Sequence, residues 1–117
     1  MNLDQFREYC LHFKGATEEL PFDENTLVFK VMEKMFSLCN MMEFEFCNLK
    51  CDPEKAMELR ERFREVTPAW HMSKKHWNSV HFHGKLNDKQ IQDWITDSYH
   101  LVIGKMSKKL KEELNNL

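Results

Sequence analysis

The first stretch of the chain has apolar residues at steps of three and four, which is the spacing of an amphipathic helix. We predict this helix over residues 4–14, with Gly15 just past its end. Residues 18–22 are short and contain Pro21, which favours a strand at the edge of a sheet. The helical stripe is formed by Leu3, Phe6, Cys10 and Phe13.

Between residues 26 and 50 the hydrophobic period changes to two, which is the period of a β-strand. Polar turns near residues 23–25, 33–34 and 40–43 divide this stretch, so we predict an antiparallel meander with one buried face. The positions expected to face inward are Leu27, Phe29, Val31, Phe36, Leu38, Phe44 and Phe46.

The next part of the chain returns to helix signals and then to strand signals. Asp52 and Pro53 predict the start of a helix, with the aspartate as its cap and the proline in its first position. Residues 66–72 and 76–82 are predicted as two further strands, which a turn at residues 73–75 connects.

A final helix is predicted near the C-terminus, with Asn87 or Asp88 as its cap. Gly104 and Ser107 interrupt its apolar pattern and can break it. The tail over residues 108–117 is charged and helix-prone, and we expect it to contribute little to the core.

The order of elements is helix, strands, helix, strands, helix, which predicts an α+β domain. We expect an antiparallel sheet of about five to six strands with the helices packed on one face. The chain has 117 residues, of which 42% are hydrophobic and 31% charged, a balance that argues against disorder. We therefore expect one domain over residues 1–117.

Charge is distributed unevenly along the chain, whose net charge is −2. Residues 1–66 contain nine basic and fourteen acidic residues, whereas residues 67–117 contain eight basic and five acidic residues. A domain that coats DNA is usually far more basic, so we expect an anionic partner to meet the later half or a local patch.

Two features that the sequence lacks indicate where in the cell we expect the protein. No apolar run is long enough to cross a membrane, and no signal peptide is visible at the N-terminus. We therefore expect a cytoplasmic protein without a membrane partner, whose four cysteines are free thiols.

The strongest candidate for chemistry is the run over residues 71–77, which reads His-Met-Ser-Lys-Lys-His-Trp. The two lysines and two histidines of this run can bind a phosphate, and its tryptophan can stack on a base. The same run fits a solvent-facing hairpin tip that the tryptophan anchors to the core. Spacing alone leaves both interpretations open.

Metal sites and nucleophiles are weaker candidates. His81 and His83 would share a strand face, but no carboxylate or cysteine follows at a ligand spacing, so we expect no metal. The cysteines are expected to act as small core residues, since a reactive thiol needs a cationic neighbour. No phosphate-loop, dinucleotide-binding or hydrolase motif occurs in the sequence, and we expect neither a cofactor nor enzyme activity.

Four stretches of the sequence resemble one family, in the same order along the chain. They are Lys34-Met35-Phe36, Asn48-Leu49-Lys50-Cys51 with Asp52-Pro53-Glu54, Pro68-x-Trp70-His71-Met72-x-Lys74-Lys75-His76-Trp77-Asn78-x-Val80, and Ser98-Tyr99-x-Leu101-Val102. The chain therefore resembles the MmcQ/YjbR family, small bacterial proteins that are usually labelled DNA-binding. This resemblance implies a frataxin-like (CyaY-like) fold and a double-wing mode, in which the curved sheet and its hairpins contact nucleic acid.

The resemblance implies a non-enzymatic binding domain with nucleic acid as its partner. Either Trp70 or Trp77 would stack on a base. We expect the protein to be a monomer and not to bind iron, since the predicted first helix offers only Asp4 and Glu8 as acidic residues. The residues carried over to the nucleic-acid site are Lys34, Lys50, Lys74, Lys75, His76, Trp77 and Asn78.

Two alternatives remain open at this point. The first is a small-molecule or protein interaction module, in which polar residues converge on a pocket. The second is a structural role, in which Lys34, Lys50 and Tyr99 tie the helices to the sheet through buried hydrogen bonds. The pocket of the first alternative would be lined by His76, Trp77, Ser98 and Tyr99.

Overall fold

Each helix begins at a polar residue whose side chain accepts a hydrogen bond from the first turn. The computed structural model describes residues 1–69 and 71–117. The caps are Asn2, Asp52, Asn87 and Ser107. The helices are α1 (Leu3–Leu11), α2 (Pro53–Arg62), α3 (Asp88–Gly104) and α4 (Lys108–Asn115). Within the described residues, none of them is long and apolar enough to cross a bilayer.

Six strands form one antiparallel sheet in the order β1-β2-β3-β4-β6-β5. The prediction of an α+β fold with about five to six antiparallel strands is therefore confirmed. β5 is shorter than predicted, although the backbone N–H of Ala69, directly after it, still donates to the carbonyl oxygen of Trp77. The strands are β1 (Ala16–Glu19), β2 (Thr26–Val31), β3 (Lys34–Asn40), β4 (Phe46–Lys50), β5 (Val66–Pro68) and β6 (Trp77–His81).

The helices cover one face of the sheet and form a single hydrophobic core with it. Burying apolar surface on this face is the main favourable term in folding. The helices contribute Phe6, Cys10, Leu59, Ile91, Ile95, Tyr99, Val102 and Leu114. The strands contribute Leu27, Phe29, Val31, Phe36, Cys39, Cys47, Leu49, Val66 and Val80.

The pairing of β2 with β3 contains an irregularity that the alternating pattern did not predict. Phe29 pairs with Ser37, but the next residue, Lys30, pairs with Met35. Phe36 is therefore the extra residue of a bulge. Its ring packs against the aromatic rings of the helical side, while the hydroxyl of Ser37 lies near the Cys10 thiol on the same side.

Two of the predicted inward positions lie on the other face of the sheet. Leu38 follows the bulge and lines a cleft on the face away from the helices, so the prediction that it shares a face with Phe36 is wrong. Phe46 lines the same cleft. The inward residues of β4 are instead Cys47 and Leu49, because alternate residues of a strand point to opposite faces.

The C-terminal segment belongs to the core, contrary to the expectation from its charge. α3 ends at Gly104, where a break was predicted, and Ser107 caps α4. Leu114 is buried beside Gly15, which has a φ of 74°. A Cβ atom on Gly15 would lie 2.6 Å from Leu114 Cδ1, so a glycine is required for this close approach.

Two glycine substitutions test this packing. We expect Gly15→Ala to lower the free energy of unfolding by about 1–2 kcal/mol, because the residue is left-handed and the new methyl group meets Leu114. Gly104→Ala is the matched control: its Cβ meets nothing within 4 Å, and alanine favours a helix by up to about 1 kcal/mol. Urea unfolding followed by circular dichroism measures both values. Equal changes in the two variants would contradict the packing of α4 on Gly15.

Candidate functional site

The end of β4 and the start of β6 form a cation–aromatic pair. Lys50 lies opposite Trp77 in the register of the two strands, and its Nζ lies 5.4 Å from the centre of the indole ring. A cation over an indole is attracted by the negative face of the ring. Trp77 is only 5% exposed, so packing fixes the ring and the ring in turn orients the ammonium group.

Two more lysines lie around Lys50. Lys34 begins β3, and Lys105 directly follows α3. The pKa of Lys50 is lowered, first by burial and then by the positive charges of Lys105 and Lys34. In the part of the chain that the structure describes, none of the three has a carboxylate at ion-pair distance. We call Lys34, Lys50 and Lys105 the lysine cluster.

The connection between β5 and β6 is anchored beside this cluster. Arg60 of α2 donates hydrogen bonds to the backbone oxygens of Lys74 and Trp77. The backbone N–H of Cys51 donates to the carbonyl oxygen of His76 at 2.8 Å, which joins the connection to the end of β4. The predicted site residues on this connection are Lys74, Lys75 and His76.

Asn78, which was predicted to contact nucleic acid, is buried on the helical side of the sheet. Its Oδ1 accepts a hydrogen bond from Arg60 Nε at 2.6 Å, and its Nδ2 donates to the carbonyl oxygen of Ala56 at 3.3 Å. Because these bonds occupy both ends of its amide, Asn78 joins α2 to β6 and does not face a partner.

Of the four residues in the predicted pocket, His76, Trp77, Ser98 and Tyr99, the last two use their hydroxyls within the fold. Ser98 Oγ donates to the carbonyl oxygen of Lys50 at 2.6 Å, and Tyr99 OH donates to the carbonyl oxygen of Lys14 at 2.6 Å. The Tyr99 ring also stacks on Phe13, with centroids 4.4 Å apart. These two hydrogen bonds hold α3 to neighbouring segments of the chain. A structural role of this kind was the second alternative for Tyr99.

The face of the sheet opposite the helices forms a cleft of about 1020 Å³, which we call the sheet-face cleft. Loop residues of 22–23 and 71–73 form its walls. Trp77 lines it as well, so the indole lies between the cleft and the lysine cluster. Paired positions on successive strands form its floor: Leu38, Asn48, Ser79 and Thr67.

Polar side chains make up about half of the described lining of the sheet-face cleft, and most of them are amides or hydroxyls. Ser79 Oγ donates to Asn48 Oδ1 at 2.5 Å, and both residues are buried. His81 Nε2 lies 3.2 Å from Thr67 Oγ1, and its pKa is lowered by burial and then by His83. Among the described residues that line this cleft there is no lysine or arginine.

The thiols and histidines do not form an activated centre in the described residues. Burial raises the pKa of Cys39 to about 12 and that of Cys51 to about 11, and it also raises the pKa values of Cys10 and Cys47. A thiol with a raised pKa is a poor nucleophile at neutral pH. Within residues 1–69 and 71–117, no three His, Cys, Asp or Glu side chains are grouped as metal ligands.

One predicted residue cannot be placed, and three residues near the site were not predicted. Trp70 lies outside the described residues, so its stacking on a base stays a prediction. The sequence reasoning missed Lys105, although a cation directly after a helix is favoured by the helix dipole, a signal that could have found it. It also missed Asn48 and Ser79, whose polarity in the middle of apolar strands was the available signal.

A family model described as YjbR matches residues 11–101 of the chain. The uncharacterized protein YbdF of Escherichia coli O157:H7 is 34% identical over 90 residues, which are 76% of this chain and 74% of the relative. The uncharacterized protein YjbR of Escherichia coli strain K12 is 28% identical over 118 residues and covers both chains completely.

Solved structures agree with the architecture. The Deinococcus radiodurans protein DR2400, described with the domain DUF419, has a TM-score of 0.90 at 33% identity and covers 97% of this chain and 88% of its own. A Pseudomonas syringae protein has a TM-score of 0.72 at 28% identity and covers 86% of this chain and 98% of its own. The α+β architecture is therefore shared with solved relatives.

The electrostatic coupling within the lysine cluster can be measured directly. We expect Lys105→Ala to raise the pKa of Lys50 toward its ordinary value of 10.5, because the variant removes one neighbouring positive charge. Lys89→Ala is the control, since Lys89 pairs with Asp93 at 2.6 Å and does not contribute to the shift of Lys50. NMR titration of the lysine side chains gives both values. An unchanged Lys50 pKa in Lys105→Ala would show that the cluster does not exist.

Proposed function

We propose, since the chain belongs to the YjbR family, that it is a non-enzymatic binding domain whose partner is nucleic acid. The observation that carries this proposal is the lysine cluster. Three ammonium groups lie at one end of the sheet without carboxylate partners at ion-pair distance in the described residues, and one of them is held over an indole ring.

Like charges that repel one another destabilise a free protein and favour the binding of an anion. Removing Lys50 from water, and placing Lys34 and Lys105 near it, disfavours its charged form. A phosphate between the three ammonium groups would reverse this penalty. Such a local patch can attract nucleic acid although the whole chain has a net charge of −2.

Trp77 has a positioning role in this proposal. Its ring is almost completely buried, so it cannot offer an open face on which a base could stack. It holds the ammonium group of Lys50 in place instead. The contact would therefore read the phosphate backbone, and sequence specificity is not expected from the residues of the cluster.

The family resemblance also implies a frataxin-like, double-wing contact. We propose that this contact lies at the end of the sheet where β3 begins and β4 ends, and that the connection carrying Lys74 and Lys75 flanks it. The sheet-face cleft is a less suitable surface for phosphates, because the described residues that line it include no lysine or arginine. The proposal is binding without catalysis, in the cytoplasm, where the four free cysteines would stay reduced.

Salt dependence is the most specific test of a phosphate contact. In fluorescence anisotropy with a labelled DNA duplex, three phosphate contacts give a slope of log K against log salt of about −3. Lys34→Ala, Lys50→Ala and Lys105→Ala should each weaken binding and reduce the magnitude of the slope by about 0.9, since each removes one contact.

Lys89→Ala again serves as the control, because it removes the same charge from an exposed lysine that is paired with Asp93. The proposal predicts that this variant keeps the wild-type affinity and slope. It is contradicted if neither duplex nor single-stranded DNA binds at low salt, or if the control loses as much affinity as Lys50→Ala.

A further inference from the structure

We propose that the sheet-face cleft binds an uncharged, flat small molecule that carries a hydrogen-bond acceptor next to a donor. The cleft has a volume of about 1020 Å³, which is at the upper end of the range of ligand pockets. It lies on the opposite face of the sheet from the core and is separate from the lysine cluster, so this inference does not rest on the nucleic-acid proposal.

The scarcity of charged side chains in the cleft disfavours an ionic ligand. In the described part of its lining there is no lysine or arginine, and Asp23 is the single carboxylate. That carboxylate accepts hydrogen bonds from the backbone N–H groups of Asn25 and Thr26 and from Thr26 Oγ1. It is exposed and is used by its own turn. Of the two histidines in the lining, His71 is exposed and burial lowers the pKa of His81, so the buried part of the cleft offers an ion little counter-charge.

The buried polar pair on the floor indicates which groups the ligand carries. Ser79 Oγ gives its proton to Asn48 Oδ1, which leaves the Ser79 oxygen as an acceptor. Asn48 Nδ2 has the thioether sulfur of Met72 as its partner, at 3.4 Å, and a thioether is a weak acceptor. A carbonyl oxygen of a ligand would be a better partner for this amide, and an adjacent N–H could donate to Ser79.

The aromatic and methionine side chains in the lining favour a flat ligand. Phe46 lines the cleft beside the small exposed part of Trp77, and Phe22 lies on its wall with 63% of its surface exposed. An exposed phenylalanine beside a cavity is apolar surface that a ligand can cover. Met35 and Met72 are flexible side chains that can adapt to the shape of an occupant.

A series of three probes of similar size separates charge from shape. Benzamide has a ring with an adjacent carbonyl and N–H, benzoate is its anionic counterpart and benzylamine its cationic one. In ¹⁵N-correlated NMR spectra at millimolar concentration, we expect benzamide to shift the side-chain amide of Asn48 and the indole N–H of Trp77. We expect several-fold smaller shifts from benzoate and benzylamine.

Variants locate the binding site. Asn48→Leu removes the amide and should abolish the shifts from benzamide. Phe22→Ala is the second variant, which keeps the test valid if Asn48→Leu does not fold. Because Phe22 is exposed, this variant should fold, and it should weaken benzamide binding several-fold. Met57→Ala is the matched control, since Met57 is 60% exposed on α2 and does not line the cleft.

Three outcomes would overturn the inference. The first is that benzamide shifts none of the cleft resonances. The second is that a charged probe shifts them as strongly as benzamide does, or that Met57→Ala weakens the shifts as much as Phe22→Ala. The third is that the same resonances move on dilution without a probe, because a second copy of the chain would then fill the cleft.

Discussion

The antiparallel pairing of β4 with β6 is the constraint on which the rest of the structure depends. This register places Lys50 opposite Trp77 and Asn48 opposite Ser79, so one pair of strands builds the lysine cluster and the floor of the sheet-face cleft. Arg60 reinforces the pairing from α2, because its guanidinium group binds the Asn78 side chain and two backbone oxygens near the start of β6.

The two faces of the sheet differ in their surroundings, because helices cover only one of them. On the covered face, polar groups such as the Tyr99 hydroxyl are paired within the fold and contribute to stability. On the open face, Ser79 donates to the Asn48 side chain, and the Asn48 amide donates to the Met72 sulfur, which is a weak acceptor that a ligand carbonyl could replace. Lys50 lies at the end of the sheet and is half-buried.

Local signals predicted most of the fold but little of the site. The caps and the strand period located the helices and the meander, because Asp52, Pro53 and Asn87 act through neighbours in sequence. The bulge at Phe36 and the burial of Leu114 depend on contacts between distant segments, which a single sequence does not show. For the same reason the lysine cluster was predicted only in part. Lys34 and Lys50 were named from the family resemblance, whereas Lys105 joins them only through the packing of α3.

The position of the Lys50 side chain over the Trp77 indole is the central claim, and proton NMR tests it directly. A methylene group above an aromatic ring is shielded by the ring current. The structure predicts that the ε-methylene protons of Lys50 resonate upfield of an exposed lysine such as Lys89 and show nuclear Overhauser effects to the Trp77 ring protons. Lys50 protons at the chemical shift of an exposed lysine, without such effects, would contradict the account.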